Sequence, residues 1–148
     1  MRALIYLSMF VVMMMAFEVN AWDSFEEANV DVSPWIYNEE SQITDWQDFT
    51  NISAGRVVAL KIQEKKLQSS NTVVAVTQKV TNVSETPYCL LSSLNDQQNA
   101  INTFKNGGKT LVLPGEEKLI GGYRVNKLGK SWKVNWKMIA TKNLARCY

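Results

Sequence analysis

The apolar positions follow different patterns along the chain. Ala3 to Phe17 form one apolar run of 15 residues, broken only by Ser8, behind a positive start at Met1-Arg2. Val19 and Ala21 then stand where an export signal carries small or moderate residues before its cut. The run is shorter than the about 18 apolar residues expected of a membrane helix. It therefore reads as a signal peptide over 1–21, cleaved after Ala21. From Arg56 onward the period becomes two, the mark of half-buried strands. Val58, Leu60 and Ile62 alternate with Ala59, Lys61 and Gln63, and Val74, Val76 and Val80 share one face of a Val/Thr-rich stretch over 73–83. Thr86-Pro87 turns into a strand at 88–91. Lys109 to Leu113 reads as a strand ended by the Pro114-Gly115 turn. Glu117 to Asn126 reads as another, with Gly121-Gly122 marking a bulge or kink, and Leu128-Gly129-Lys130 makes the next turn. In the last strand Trp132, Val134, Trp136 and Met138 alternate with Lys133, Asn135 and Lys137, so the rings face one way and the ammonium groups the other.

Two segments depart from this period. Ser93 to Lys105 has Ser93 and Asp96 in capping-box spacing, then Ala100, Ile101 and Phe104, and stops at Asn106-Gly107-Gly108; it predicts a short helix. Ser41 to Thr50 places Ile43, Trp46 and Phe49 at helical spacing and predicts one or two further turns. Asn29 to Ser33 alternates like a short strand, and Pro34 beyond it favours an edge position. The chain is thus expected to be mainly β: an antiparallel sandwich of about seven strands with one or two short helices. Size and strand spacing fit an immunoglobulin-like Greek key. The details of a true immunoglobulin domain are missing, because its second Cys would stand on a strand behind a Tyr, whereas Cys147 is penultimate and position 145 is Ala. The expected organisation is a signal peptide over 1–21, an acidic aromatic arm or edge segment over 22–54, and a β-sandwich domain over 55–148.

Charge sharpens that division. The net charge of +2 hides a segregation. Residues 22–50 hold eight acidic side chains and no basic one, whereas 51–148 hold 15 basic and five acidic ones. From Lys118 onward there are eight basic residues and no acid. The acidic stretch also carries Trp22, Phe25, Trp35, Tyr37, Trp46 and Phe49, which a disordered acidic tail would lack. It is expected to dock, either on the basic sheet of its own molecule or on a neighbouring copy by strand addition.

Composition removes several chemistries. Histidine is absent and only two cysteines occur, so a Ser-His-Asp triad, a Cys-His pair and an imidazole or four-thiolate metal site are excluded. No phosphate-binding glycine motif is present. No catalytic residue, metal ligand or cofactor is assigned. In an exported chain, Cys89 and Cys147 are expected to pair; closing a loop of nearly 60 residues contributes about 4 kcal/mol in the chain-entropy model.

Function is read as a secreted or periplasmic, non-enzymatic binding or assembly module, acting through a sheet edge or its charged faces. A protein partner or self-association is expected. The alternative is a small secreted effector, toxin or inhibitor that holds an anionic surface through Lys118, Arg124, Lys127, Lys130, Lys133, Lys137, Lys142 and Arg146. Nucleic acid is not the expected partner, since the last strand's rings and charges lie on opposite faces. No second long apolar run predicts a transmembrane segment in the mature chain. Asn51 and Asn82 head glycosylation triplets. A carbohydrate-active enzyme using paired acids, Glu26-Glu27, Glu39-Glu40 or Asp45/Asp48, has the least support, because such pairs arise in any acidic segment.

Overall fold

The computed structural model describes residues 23–28, 30 and 41–148. The expected signal peptide and most of the expected 29–33 strand lie outside these residues. A short helix α1 (Asp23–Glu27) precedes nine strands: β1 (Ser41–Ile43), β2 (Gln47–Ala54), β3 (Val57–Ser69), β4 (Thr72–Asn82), β5 (Tyr88–Gln98), β6 (Ala100–Asn102), β7 (Lys109–Val112), β8 (Glu117–Val125) and β9 (Lys133–Thr141). Single 3-10 turns cover Lys105–Gly108 and Leu144–Cys147.

The strands make two antiparallel sheets. In the larger, β1 and β2 share one edge of β3, followed by β4, β8 and β6; in the smaller the order is β7, β5, β9. The β3–β4 hairpin closes on Ser70-Asn71, both with positive φ (49° and 63°), the conformation that matches the right-handed twist of paired strands. The sheets face each other across Leu60, Ile62, Val80 and Ile120 on one side and Tyr88, Leu90 and Val112 on the other, with Phe104 between. The protein is therefore a mainly β sandwich. This pairing does not single out the immunoglobulin-like Greek key among sandwiches.

Both expected helices at 41–50 and 93–105 are replaced by strands. Ile43, Trp46 and Phe49 do not share a face. Ile43 packs on the Phe25 cluster, Phe49 on the main core, and Trp46 lies under two lysines. At 93–105, β5 runs on to Gln98 against β9. Asp96 and Asn99 take φ of 51° and 49°, which a right-handed helix does not admit. Asn99 instead anchors the turn after β8: its side chain accepts from the Lys127 N–H at 2.9 Å and donates to the Lys127 carbonyl at 2.9 Å.

The Gly121-Gly122 irregularity is present as a register shift opposite Gln78 and Lys79. A side chain at Gly122 would stand 2.2 Å from the Val76 carbonyl oxygen. A second shift, at Leu67/Gln68, leaves Val74 as an extra residue of β4. That takes Val74 off the face of Val76 and Val80 and into a separate cluster with Leu67, Ala75, Phe25, Ala28 and Val30. Through this cluster the start of the acidic arm packs in cis on the larger sheet. The contact is apolar. Lys105–Glu27, at 4.0 Å, is the one ion pair between α1 and the rest among the described residues.

Cys89 and Cys147 form the expected disulfide, with Cα atoms 5.7 Å apart. It fastens the C-terminal turn to β5, the middle strand of the smaller sheet. No helix among the described residues is long and apolar enough to cross a membrane.

Candidate functional site

The core is sealed on one side and open on the other. On the side of β7 and β8, Val112 and Ile120 are 0% and 1% exposed. The partly buried apolar residues of the core are Phe49, Ile52, Leu94, Trp136, Met138 and Ala140, and all lie on β2, β5 and β9. Strands β2 and β9 are outer strands of their sheets, so among the described residues the gap between them is bounded by two backbone edges without a further strand. The alternation expected for β9 holds: Val134, Trp136, Met138 and Ala140 are half-buried, and Lys133, Asn135, Lys137 and Ile139 are exposed.

Trp136 is the centre of this side. Its ring lies 5.7 Å from Phe49, 5.7 Å from Phe104 and 5.4 Å from Tyr123, all tilted or edge-on, the geometry that aromatic quadrupoles favour. A cleft of about 400 Å3 runs between the β2 backbone at 49–53 and Trp136 and Met138. It continues past Phe49 and Trp136 into a second hollow of about 470 Å3, walled by Tyr123 and Trp132 and floored by Glu64, Lys66 and Val76. Glu64 and Lys66 pair at 2.9 Å, with the Glu64 side chain 12% exposed. Burial, and then the Glu64 charge, hold the Tyr123 phenol well above its ordinary pKa. Beside Glu64 in register stands Gln78. It is fully buried, and neither amide atom has a hydrogen-bond partner among the described residues.

The residues proposed for an anionic surface are dispersed. Lys118 donates to the Leu111 carbonyl at 2.7 Å and pairs with Glu116 at 3.2 Å. Arg124 is half-buried on β8 between Ala75 and Ile101. Lys127 and Lys130 lie exposed in the turn after β8, and Lys133 is taken by Asp96 at 2.6 Å. Lys137 is exposed on β9, while Lys142 and Arg146 are exposed near the C-terminus. Asn51 is exposed on β2. Asn82 is 1% exposed, and its amide nitrogen, where a glycan would attach, donates to the Thr86 and Val112 carbonyls at 2.8 and 3.0 Å. Asn82 thereby ties β4 of the larger sheet to β7 of the smaller one. Glu26 and Glu27 are exposed on α1, and Glu39-Glu40 lie outside the described residues. Asp48 is exposed and accepts from Gln63 at 3.0 Å.

Trp132, Trp136 and Met138 are legible in the sequence by their period, whereas Phe49, Glu64, Lys66 and Tyr123 are not legible as their neighbours. One signal was available: Ile62, Glu64 and Lys66 continue the inward face of β3, so two charges stand where the pattern calls for apolar residues. Compared with protein-family models, with curated proteins and with solved structures, the chain matches none.

Proposed function

We propose that this protein is a secreted or periplasmic, non-enzymatic binding module that takes an extended peptide strand along β9. The observation that supports it is the one-sided exposure of the core: Phe49, Ile52, Trp136 and Met138 are left half-covered beside a strand edge that no other described strand pairs. A strand added to β9 gains main-chain hydrogen bonds and covers these side chains with its inward residues. Its outward residues stand beside Lys133 and Lys137, so acidic residues fit there and basic ones do not. The occupant is an extended segment alternating apolar and acidic residues. Like-charged lysines disfavour antiparallel self-pairing of β9.

The test is hydrogen exchange on the disulfide-intact mature chain, with and without a synthetic peptide alternating Val and Glu. Half of the β9 amides, those pointing away from β5, exchange fast in the free protein and slow once the peptide binds. A Val/Lys peptide gives no protection, and Met138→Lys abolishes the effect. Slow exchange of all β9 amides in the free monomer, or no response to the Val/Glu peptide, overturns the reading.

A further inference from the structure

A separate cleft of about 760 Å3 opens where the larger sheet's outer face meets the edge of β7. Five lysines line it from five elements: Lys65 on β3, Lys79 on β4, Lys105 on the 3-10 turn, Lys109 on β7 and Lys118 on β8. Two carboxylates, Glu27 and Glu117, share the lining. Glu117 pairs with Lys79 at 3.1 Å and Glu27 reaches Lys105 at 4.0 Å. Among the described residues, Lys65 and Lys109 have no ion pair within 4.0 Å. The lining carries more positive than negative charge.

The wall is built rather than incidental. The Trp46 ring holds two ammonium groups at once, Lys65 at 5.0 Å and Lys79 at 4.8 Å from its centroid. A ring face attracts each cation, but holding both there sets like charges against each other. Burial pushes the Lys65 pKa down; Asp45 opposes this and Lys79 adds to it. Lysines on outer strands commonly guard a sheet from edge-to-edge aggregation, which accounts for Lys109 on β7. It does not account for Lys65 or Lys79, whose strands β3 and β4 are paired on both sides. An anion between them relieves the repulsion.

We propose that this cleft is a binding site for a phosphoryl or sulfuryl monoester group, with Lys65, Lys79 and Lys109 as its anion ligands and Trp46 as its apolar wall. The site is independent of the β9 edge and lies on the sealed side of the core. A compact tetrahedral anion with three terminal acceptor oxygens suits several ammonium donors converging from different strands.

The test is calorimetric titration of the mature protein at low salt with four probes. These are inorganic phosphate, inorganic sulfate, a heparin-derived sulfated hexasaccharide, and phosphatidylcholine vesicles with and without phosphatidic acid. At least one probe binds, and its affinity falls as salt rises. Lys65→Gln weakens it about tenfold, the loss of one hydrogen bond to a charged group, and Lys109→Gln does likewise. Lys137→Gln, on the opposite edge, leaves it unchanged. Thermal unfolding confirms that each variant folds, and Lys109→Gln serves alone should Lys65→Gln fail to fold. The probe that binds identifies the source of the group. Binding by no probe overturns the proposal, as does equal weakening by Lys137→Gln, which would report general charge alone.

Discussion

Gln78 gives the sharpest stability prediction because its sign runs against the usual effect of core substitution. The side chain is fully buried on the inward face of β4, between Val76 and Val80, and both amide atoms lack a hydrogen-bond partner among the described residues. A buried polar group without a hydrogen bond costs about 1–3 kcal/mol. Methionine has nearly the same length and volume, so Gln78→Met removes that cost without opening a cavity, and imperfect fit returns under about 1.5 kcal/mol. The net expectation is a gain of about 1–2 kcal/mol. In a chain of this size that raises Tm by about 2–8 °C and moves the urea midpoint up with no change in slope. Gln78→Glu is the counterpart: it sets a second carboxylate beside Glu64 in register and costs more than about 3 kcal/mol at neutral pH. Urea unfolding of both variants, followed by tryptophan fluorescence, decides the matter. A loss of 1 kcal/mol or more on Gln78→Met would refute the reasoning, because it would mean that the amide is hydrogen-bonded in solution.

Removing the bridge with Cys89→Ala and Cys147→Ala together frees a loop of sequence separation 58. Stability falls by about 4 kcal/mol in the chain-entropy model, and a loss under 1 kcal/mol in urea would show that the C-terminal turn is held by packing instead. Tyr123 has a folded-state pKa raised first by burial and then by Glu64. Its contribution is intact below about pH 10 and is lost as pH rises above it, since the unfolded phenol ionises first; the difference in phenolate absorbance between the protein and Tyr123→Phe, growing only with unfolding, checks this. Phe25→Ala removes the anchor of the arm and costs about 3–5 kcal/mol, while Glu27→Gln changes stability by under about 0.5 kcal/mol. Arm release on adding salt, read by limited proteolysis, would contradict the apolar docking.

Where period two was uninterrupted, the strands were legible: 58–63, 73–83, 109–113, 117–126 and 132–138 all fall in or against β3, β4, β7, β8 and β9. The failures share one cause. Ile43, Trp46 and Phe49 have helical spacing, but each serves a different cluster, and spacing alone does not say that apolar residues share a destination. Ser93 and Asp96 have capping-box spacing, but Asp96 takes a positive φ within a strand irregularity. Local patterns of three or four residues were outweighed by long-range pairing with β9, which no window around residue 95 contains. Val74 was misplaced by a bulge one residue long.

The charge segregation has a different meaning in three dimensions than along the chain. In sequence it set an acidic arm against a basic C-terminal third and suggested that one neutralises the other. The start of the arm docks through Phe25, Ala28 and Val30, and Glu26 and Glu27 beside them remain exposed. The basic residues after 118 disperse over two sheets and two turns, while the lysine cleft takes four of its five ammonium groups from upstream of Lys118. Charge along a β chain is a poor guide to charge in space, because each strand sends alternate residues to opposite faces and neighbours in the sheet are distant in sequence. Lys65 and Lys79 meet over Trp46 because register places Lys65 opposite Thr77, one row from Lys79 on the same face. Trp46 itself arrives from the loop between β1 and β2. A site assembled from rows of a sheet is therefore invisible to composition windows, and the excess charge they report is mostly solvated surface.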